Sequence, residues 1–287
     1  MSSSGSATRP GSIEALLDAM EHLPSQGNVA LQVLWLADDP STALEDLAGA
    51  VAGDPALVAR LLRLANSAYY SPRSPISSVD RAIMLLGFTT VRTIATVVAC
   101  GLDSNAVPPG FWRHSSATAT AAQLIAWRFG INSGEAFAVG LLHDLGRGLL
   151  HVADPVSSAE LDQQLADAAL QEPSPPNTVP TRLDLERELF GITHAEAAAR
   201  LLGSWRFAPP MVEAIGDHHR PIGDPTSELT KLIGAAEAIT ARAIGSFDEP
   251  VDGSSGIELL DLDHERLELI VHRVRSESGA LAAVLSI

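Results

Sequence analysis

The segment Ala136-Phe137-Ala138-Val139-Gly140-Leu141-Leu142-His143-Asp144-Leu145-Gly146-Arg147 places a histidine beside a carboxylate inside an otherwise apolar run. Leu141, Leu142, Leu145 and Leu149 recur at helical spacing, Ser133 is a suitable N-cap, and Glu135 suits a first turn. The pattern predicts one helix with a core face that continues through the His-Asp pair. Consecutive helical residues stand about 100° apart around the axis, so an ion between His143 and Asp144 can be held by both. A single helix cannot complete its coordination shell. The missing ligands must arrive from other helices, and His114, His194, His218, His219 and Glu237 are the available donors. A chain built around such a set has to bring several distant segments to one point.

The rest of the chain supplies helices to do so, and strand alternation is hard to find. Thr42-Ala43-Leu44-Glu45 reads as a capping box opening a helix through Val51, and Asp54-Pro55 as an N-cap with proline at the first helical position. Ser78 opens a helix that Gly87 closes, and an apolar helix follows from Thr89 to about Gly101. Pro108-Pro109-Gly110 marks a break and a domain boundary. Beyond it the pattern predicts helices over Phe111 to Phe129, the His-Asp segment and Ser157 to Gln171, then an exposed loop at Glu172 to Asn177. Thr193-His194-Ala195-Glu196 is a second capping box, which puts His194 in the first turn of a helix ending near Trp205. Pro209-Pro210 opens a helix that ends in Asp217-His218-His219. Thr226 to Ile244 reads as helix, Ser246 to Gly256 as linker, and Asp263 to about Leu285 as a final amphipathic helix available for oligomerisation. The predicted fold is all-α, with two packed helical subdomains: residues 13–107 and 108–245, preceded by a disordered leader over 1–12 and followed by the linker and last helix over 246–287.

Composition narrows the function. With 287 residues and 46% hydrophobic content the chain can bury a large core, but at 5% aromatic residues that core must be filled by Ala, Leu, Ile and Val. Trp112, Trp127 and Trp205 are assigned to it rather than to a stacking platform. The formal net charge of −16 and the absence of a Lys/Arg cluster argue against nucleic acid as ligand. Apolar runs such as Ile94 to Leu102 fall short of the roughly 18 residues that a membrane span needs, and the Ser/Gly-rich start lacks a signal-peptide core. The expected location is cytoplasmic. A single cysteine, Cys100, excludes an internal disulfide.

In order along the chain stand Leu23-Pro24-Ser25, Asp39-Pro40, Leu47-Ala48, Asp54-Pro55-Ala56-Leu57, Asn66-Ser67-Ala68-Tyr69-Tyr70 and Ala82-Ile83-Met84-Leu85-Leu86-Gly87. Trp112-Arg113-His114-Ser115 and Gly140-Leu141-Leu142-His143-Asp144-Leu145-Gly146 follow. This series resembles the HDOD family, a bacterial branch related to the HD and HD-GYP phosphohydrolases, over roughly Ile13 to Ile244. The resemblance implies an HD-like helical bundle in the second subdomain and a role in bacterial signalling. It also implies a ligand set: His114, His143, Asp144 and Glu237 for one ion, and Asp144, His194, His218 and His219 for a second, with mononuclear or dinuclear iron, manganese or zinc as the metal.

The sequence departs from the active relatives at three places. Arg147 stands where they carry lysine, Glu237 where they carry aspartate, and no GYP segment follows the His-Asp helix. Three functions remain open. One is a regulatory module that binds a signalling protein or a small phosphorylated ligand and retains a metal. Another is a metal-dependent phosphohydrolase or phosphodiesterase acting on a nucleotide or cyclic dinucleotide, with Asp144 and Arg147 as its catalytic residues. A scaffold without a ligand site, its histidines serving as core hydrogen-bonders, is the third.

Overall fold

The computed structural model describes residues 12–21, 28–102, 106–169, 181–221, 226–245 and 253–286. The leader, the Leu23-Pro24-Ser25 motif, the Glu172 to Asn177 loop and most of the proposed linker lie outside these residues. Among them there is no strand, and the fold is all-α. The N-terminal half runs α1 (Ile13–Glu21), α2 (Val29–Asp38), α3 (Leu44–Val51), α4 (Pro55–Ala65), α5 (Val79–Leu86) and α6 (Phe88–Ala99). After the Pro108-Pro109-Gly110 break come α7 (Phe111–Ile125), a 3-10 turn (Ala126–Phe129), α8 (Ser133–Leu142), α9 (Leu145–Ala153), α10 (Pro155–Ala169) and α11 (Arg182–Phe190). The chain continues with α12 (His194–Ser204), α13 (Pro209–Gly216), α14 (Glu228–Ile244), α15 (Gly253–Glu258) and α16 (His264–Leu285). No single helix among the described residues is long and apolar enough to cross a membrane.

Helix α7 is the axis of the second half. Twelve of its fifteen residues are buried, so it is enclosed on nearly every side, and its neighbours are α8, α14 and α16. Small residues permit that enclosure: Ala117, Ala119, Ala121 and Ala122 are inaccessible to solvent. Two of its hydroxyls are satisfied inside, Thr120 donating to the Ser116 carbonyl at 2.8 Å and Thr118 to Thr240 Oγ1 at 3.3 Å. The last helix contributes Leu267, Val271, Val274, Leu281 and Leu285 to this core and rests on α7 and α14. These residues of the last helix are packed within the chain, while Leu269 on the same helix is 61% exposed.

Two glycines set how closely the site-bearing helices approach. A Cβ on Gly140 would stand 2.9 Å from the Ala119 Cα, so only glycine lets α8 lie this near α7. On Gly146 a Cβ would stand 1.9 Å from the His194 carbonyl oxygen, which fixes the crossing of α9 and α12. Helix α12 is held from its other side by α1: Arg200 donates to Glu14 and Glu21, both at 2.6 Å, and to Asp18. The Trp205 indole N–H adds a bond to the Met20 carbonyl at 3.3 Å. Arg92 on α6 joins the two halves: it pairs with Asp38, donates to the carbonyls of Trp205 and Arg206 at 3.3 and 3.1 Å, and lies 4.0 Å over the Phe207 ring.

Several boundaries differ from the sequence pattern. Ala43, not Thr42, occupies the N-cap of α3, and no side chain caps that helix. Asn132 caps α8 in place of Ser133, its carbonyl oxygen accepting from the Gly134 and Glu135 amides. Helix α10 begins at Pro155 instead of Ser157, α11 was not foreseen, and α15 begins inside the proposed linker. Trp127 is 63% exposed because it falls on the 3-10 turn after α7, whose tighter winding carries it off the buried face.

Gly146→Ala is expected to force α9 and α12 apart, since the clash is with backbone that cannot rotate away. A loss of about 1–3 kcal/mol or more in urea unfolding is expected. A wild-type unfolding midpoint would contradict the close approach.

Candidate metal centre

The His-Asp pair does not lie inside a continuous helix. Helix α8 ends at Leu142, and Asp144, at φ −97° and ψ 11°, serves as the N-cap of α9. The leucine spacing carries across the break, which is why periodicity alone reads one helix. The physical consequence concerns direction: a residue at a helix junction is not bound to the 100° step, so His143 and Asp144 both reach the same interior point.

The other side chains arrive there from four further positions. His114 comes from the first turn of α7, and His194 opens α12 behind a capping box in which Thr193 and Glu196 exchange bonds. His218 and His219 follow the end of α13 instead of lying within it, and Glu237 comes from the middle of α14. The two Asp144 oxygens face different partners. Oδ2 is 3.5 Å from His114 Nε2 and 3.7 Å from His143 Nε2, whereas Oδ1 is 3.4 Å from His194 Nε2 and 3.6 Å from His218 Nε2. His219 Nε2 stands 2.9 Å from His194 Nε2, and Glu237 Oε1 3.8 Å from His143 Nε2. The predicted ligands thus form two groups that share one carboxylate. Asp144, His194, His218 and His219 make one; His114, His143 and Asp144 make the other, with Glu237 beside it.

Tautomers decide whether this set suits a metal. His143 Nδ1 lies 2.8 Å from the Gly140 carbonyl and His218 Nδ1 2.6 Å from the Ile215 carbonyl, and because a carbonyl only accepts, both rings must donate there. His194 Nδ1 likewise donates to Glu186 Oε2 at 2.7 Å. With Nδ1 donating outward, the Nε2 atoms point inward, and those of His194 and His218 lie 3.4 Å apart, where a proton or a metal ion must separate them. The residues fit a transition metal bound by imidazole and carboxylate.

The electrostatics agree. Burial pushes the His143 imidazole down to about 3 despite the opposing pull of Asp144. Desolvation, with His218 and His194 nearby, pushes the inward-facing His219 ring far down. His218 moves the other way: burial works to lower it, but its bond to Asp144 and the charge of Glu237 carry it above its ordinary value. Burial would raise Asp144, yet His143, Arg147, His218 and His194 hold its carboxyl well below the usual range. His143 and His219 are thus held neutral and Asp144 ionised, the states in which these side chains bind a metal.

Arg147 and Glu186 lie just behind the ligands. Arg147 is 5% exposed and its Nη1 is 3.2 Å from Asp144 Oδ2. Glu186, on α11, is 1% exposed and takes both the ring Nδ1–H and the backbone N–H of His194, the latter at 2.8 Å. Burial would raise Glu186, but His194 and Arg182 hold it below its ordinary value. Sequence reading passed over Glu186. Its only local sign was its place eight residues before a histidine already assigned to a helix start. Arg182 stands 3.7 Å from Glu186 Oε1 and is itself held by Asp162 at 2.6 Å.

Comparison with known proteins follows from this geometry. The model of the HDOD domain matches residues 23–221. The chain belongs to the HDOD family. The matched span includes His114, His143, Asp144, His194, His218 and His219, whereas Glu237 lies beyond it. A structure of a candidate phosphohydrolase from Shewanella amazonensis SB2B is similar at 26% identity and a TM-score of 0.70, covering 94% of this chain and 98% of that one. An HDOD domain protein of unknown function from Geobacter sulfurreducens shares the fold at 24% identity and a TM-score of 0.64, covering 95% and 98%. An uncharacterized protein of Treponema pallidum (strain Nichols) is 23% identical over 217 residues, 71% of this chain. The match spans 39% of that longer relative.

The metal-free protein is expected to lose stability as pH falls from 7 to 5. His143 has a folded value near 3 against an ordinary 6.5, so between these values the unfolded chain binds the proton that the folded one refuses. Its contribution is complete above 6.5 and declines below it, by about 2 kcal/mol at pH 5. His219 acts in the same direction, while His218 opposes both, its share being lost as pH rises through its raised value. Urea midpoints in chelator check this, with His143→Gln reducing the slope; a midpoint that rises toward pH 5 would contradict it.

Proposed function

We propose that this HDOD protein is a metal-dependent phosphohydrolase acting on a small phosphorylated ligand, of the class of nucleotides and cyclic dinucleotides, in bacterial signalling. The observation that carries the reading is the division of Asp144, whose two oxygens face separate groups of imidazoles. Asp144, His114, His143 and Glu237 would hold one divalent ion, and Asp144, His194, His218 and His219 the other. When bound, such a pair activates a water and neutralises charge on a phosphate. The chain itself keeps Asp144 ionised and presents His143 and His219 as neutral rings. Access is also set by the protein. His143, Asp144, His194 and His218 are buried, whereas His219 is exposed and Glu237 partly so, and a phosphate would approach past these two. The name carried by the Shewanella structure supports the same class.

One observation favours a regulatory module that binds its ligand without turning it over. The basic residue following the His-Asp pair is buried against Asp144 and does not extend toward the approach side. A guanidinium is also a poor proton donor to a leaving group.

Protein purified without chelator is expected to contain iron, manganese or zinc, and to hydrolyse at least one of a generic phosphodiester, nucleoside phosphates and cyclic dinucleotides. Asp144→Asn is expected to lower turnover about 10³-fold, the scale lost with a central electrostatic group. Metal binding together with ligand binding but no turnover would favour the regulatory module, and turnover surviving Asp144→Asn would remove the proposed chemistry.

A further inference from the structure

The two halves of the centre are built differently. Asp144 Oδ1 faces the imidazoles of His194 and His218, whereas Oδ2, which the other half must use, already has the Arg147 guanidinium 3.2 Å away. Arginine stays charged throughout the physiological range. A divalent ion entering beside His114 and His143 therefore meets a fixed positive charge on its shared oxygen, in a buried setting where like charges repel more strongly than in water. On the half served by His194, His218 and His219, the described residues place imidazoles against Oδ1, and an imidazole, unlike a guanidinium, can give up its proton to a metal.

Backing groups add to the difference. His194 donates its outer N–H to the Glu186 carboxylate, which makes the ring a stronger donor, while His143 leans on the neutral Gly140 carbonyl. Arg182, braced by Asp162, keeps Glu186 in place. Arg147, Arg182 and Glu186 line one small cavity of about 10 Å³, with room for about one water. Arg147 thus occupies the rear of the site, against the metal ligands. Coordination also differs: Asp144 is grouped with three imidazoles on one side, whereas on the other it is grouped with two, His114 and His143, with Glu237 3.8 Å from His143.

We infer that the centre fills in a fixed order, first at His194, His218 and His219, and that Arg147 holds back the second ion at His114 and His143. This rests on the metal-centre reading and deepens it: the dinuclear state forms only above a metal concentration that Arg147 sets. Arg147 is a positioning residue in this scheme, acting through Asp144, and Glu186 acts through His194.

The test is a Co²⁺ titration of the full-length, chelator-stripped protein, followed by calorimetry and by the visible absorption of the bound ion. Wild type is expected to show two steps at least tenfold apart in Kd. His114→Ala is expected to remove the weaker step and leave the tighter one. Arg147→Gln is expected to tighten the weaker step about tenfold, whereas Arg147→Lys, which keeps the charge, leaves it weak. Glu186→Gln is expected to weaken the tighter step. Thermal melts in chelator confirm that each variant is folded before it is titrated. Two ions binding in one step, loss of the tighter step in His114→Ala, or equal behaviour of Arg147→Gln and Arg147→Lys would overturn the filling order. Absence of any bound ion in wild type would overturn the metal-centre reading and this inference together.

Discussion

An ionised aspartate in an apolar interior is the constraint on which this structure turns. Asp144 is 3% exposed, and a carboxylate removed from water to that extent costs several kcal/mol unless cations or hydrogen-bond donors replace the solvent. The chain meets that requirement with Arg147 on one oxygen and imidazoles around both. Those imidazoles cannot be supplied by neighbours in sequence. The fold has to deliver α7, the α8–α9 junction, α12, the end of α13 and α14 to a single point.

The delivery depends on backbone approach as much as on side chains. Gly140 lets α8 settle on α7, bringing His143 within 3.2 Å of His114, and Gly146 lets α9 meet the first residue of α12, bringing Asp144 to His194. The Thr193–Glu196 capping box and Glu186 both fix the start of α12, so His194 is anchored through its backbone as well as its ring. Helix α1, through Arg200, and the Arg92 bridge press α12 and the turn after it from outside. Part of the N-terminal half therefore serves the site without touching it.

How much of this was legible in the sequence depended on the range of the interaction involved. Asp54-Pro55, Ser78 with Gly87 and the Thr193 box were read correctly, because a cap is a contact between residues three or four apart. Thr42 is not the cap because α3 starts at Leu44, which leaves Ala43 in the N-cap position. The break between His143 and Asp144 was hidden because the leucines on either side keep helical spacing across it. Glu186 was missed because its partner lies on the next helix, and no local pattern marks a buried acid whose role is to hold a distant ring. Trp127 was misplaced because the last turn of α7 tightens, which composition does not reveal.

The sequence alone settled that this chain is helical, that its acids and histidines are of the types that hold a transition metal, and that it resembles the HDOD family. These follow from periodicity, caps and donor chemistry, all of which act over a few residues or are properties of the side chains themselves. Only the tertiary structure decided that the donors meet, that Asp144 divides its oxygens between two groups, and that Arg147 sits on one of them. Those are distances between residues far apart along the chain, set when the helices close on the core, and nothing in a linear pattern measures them.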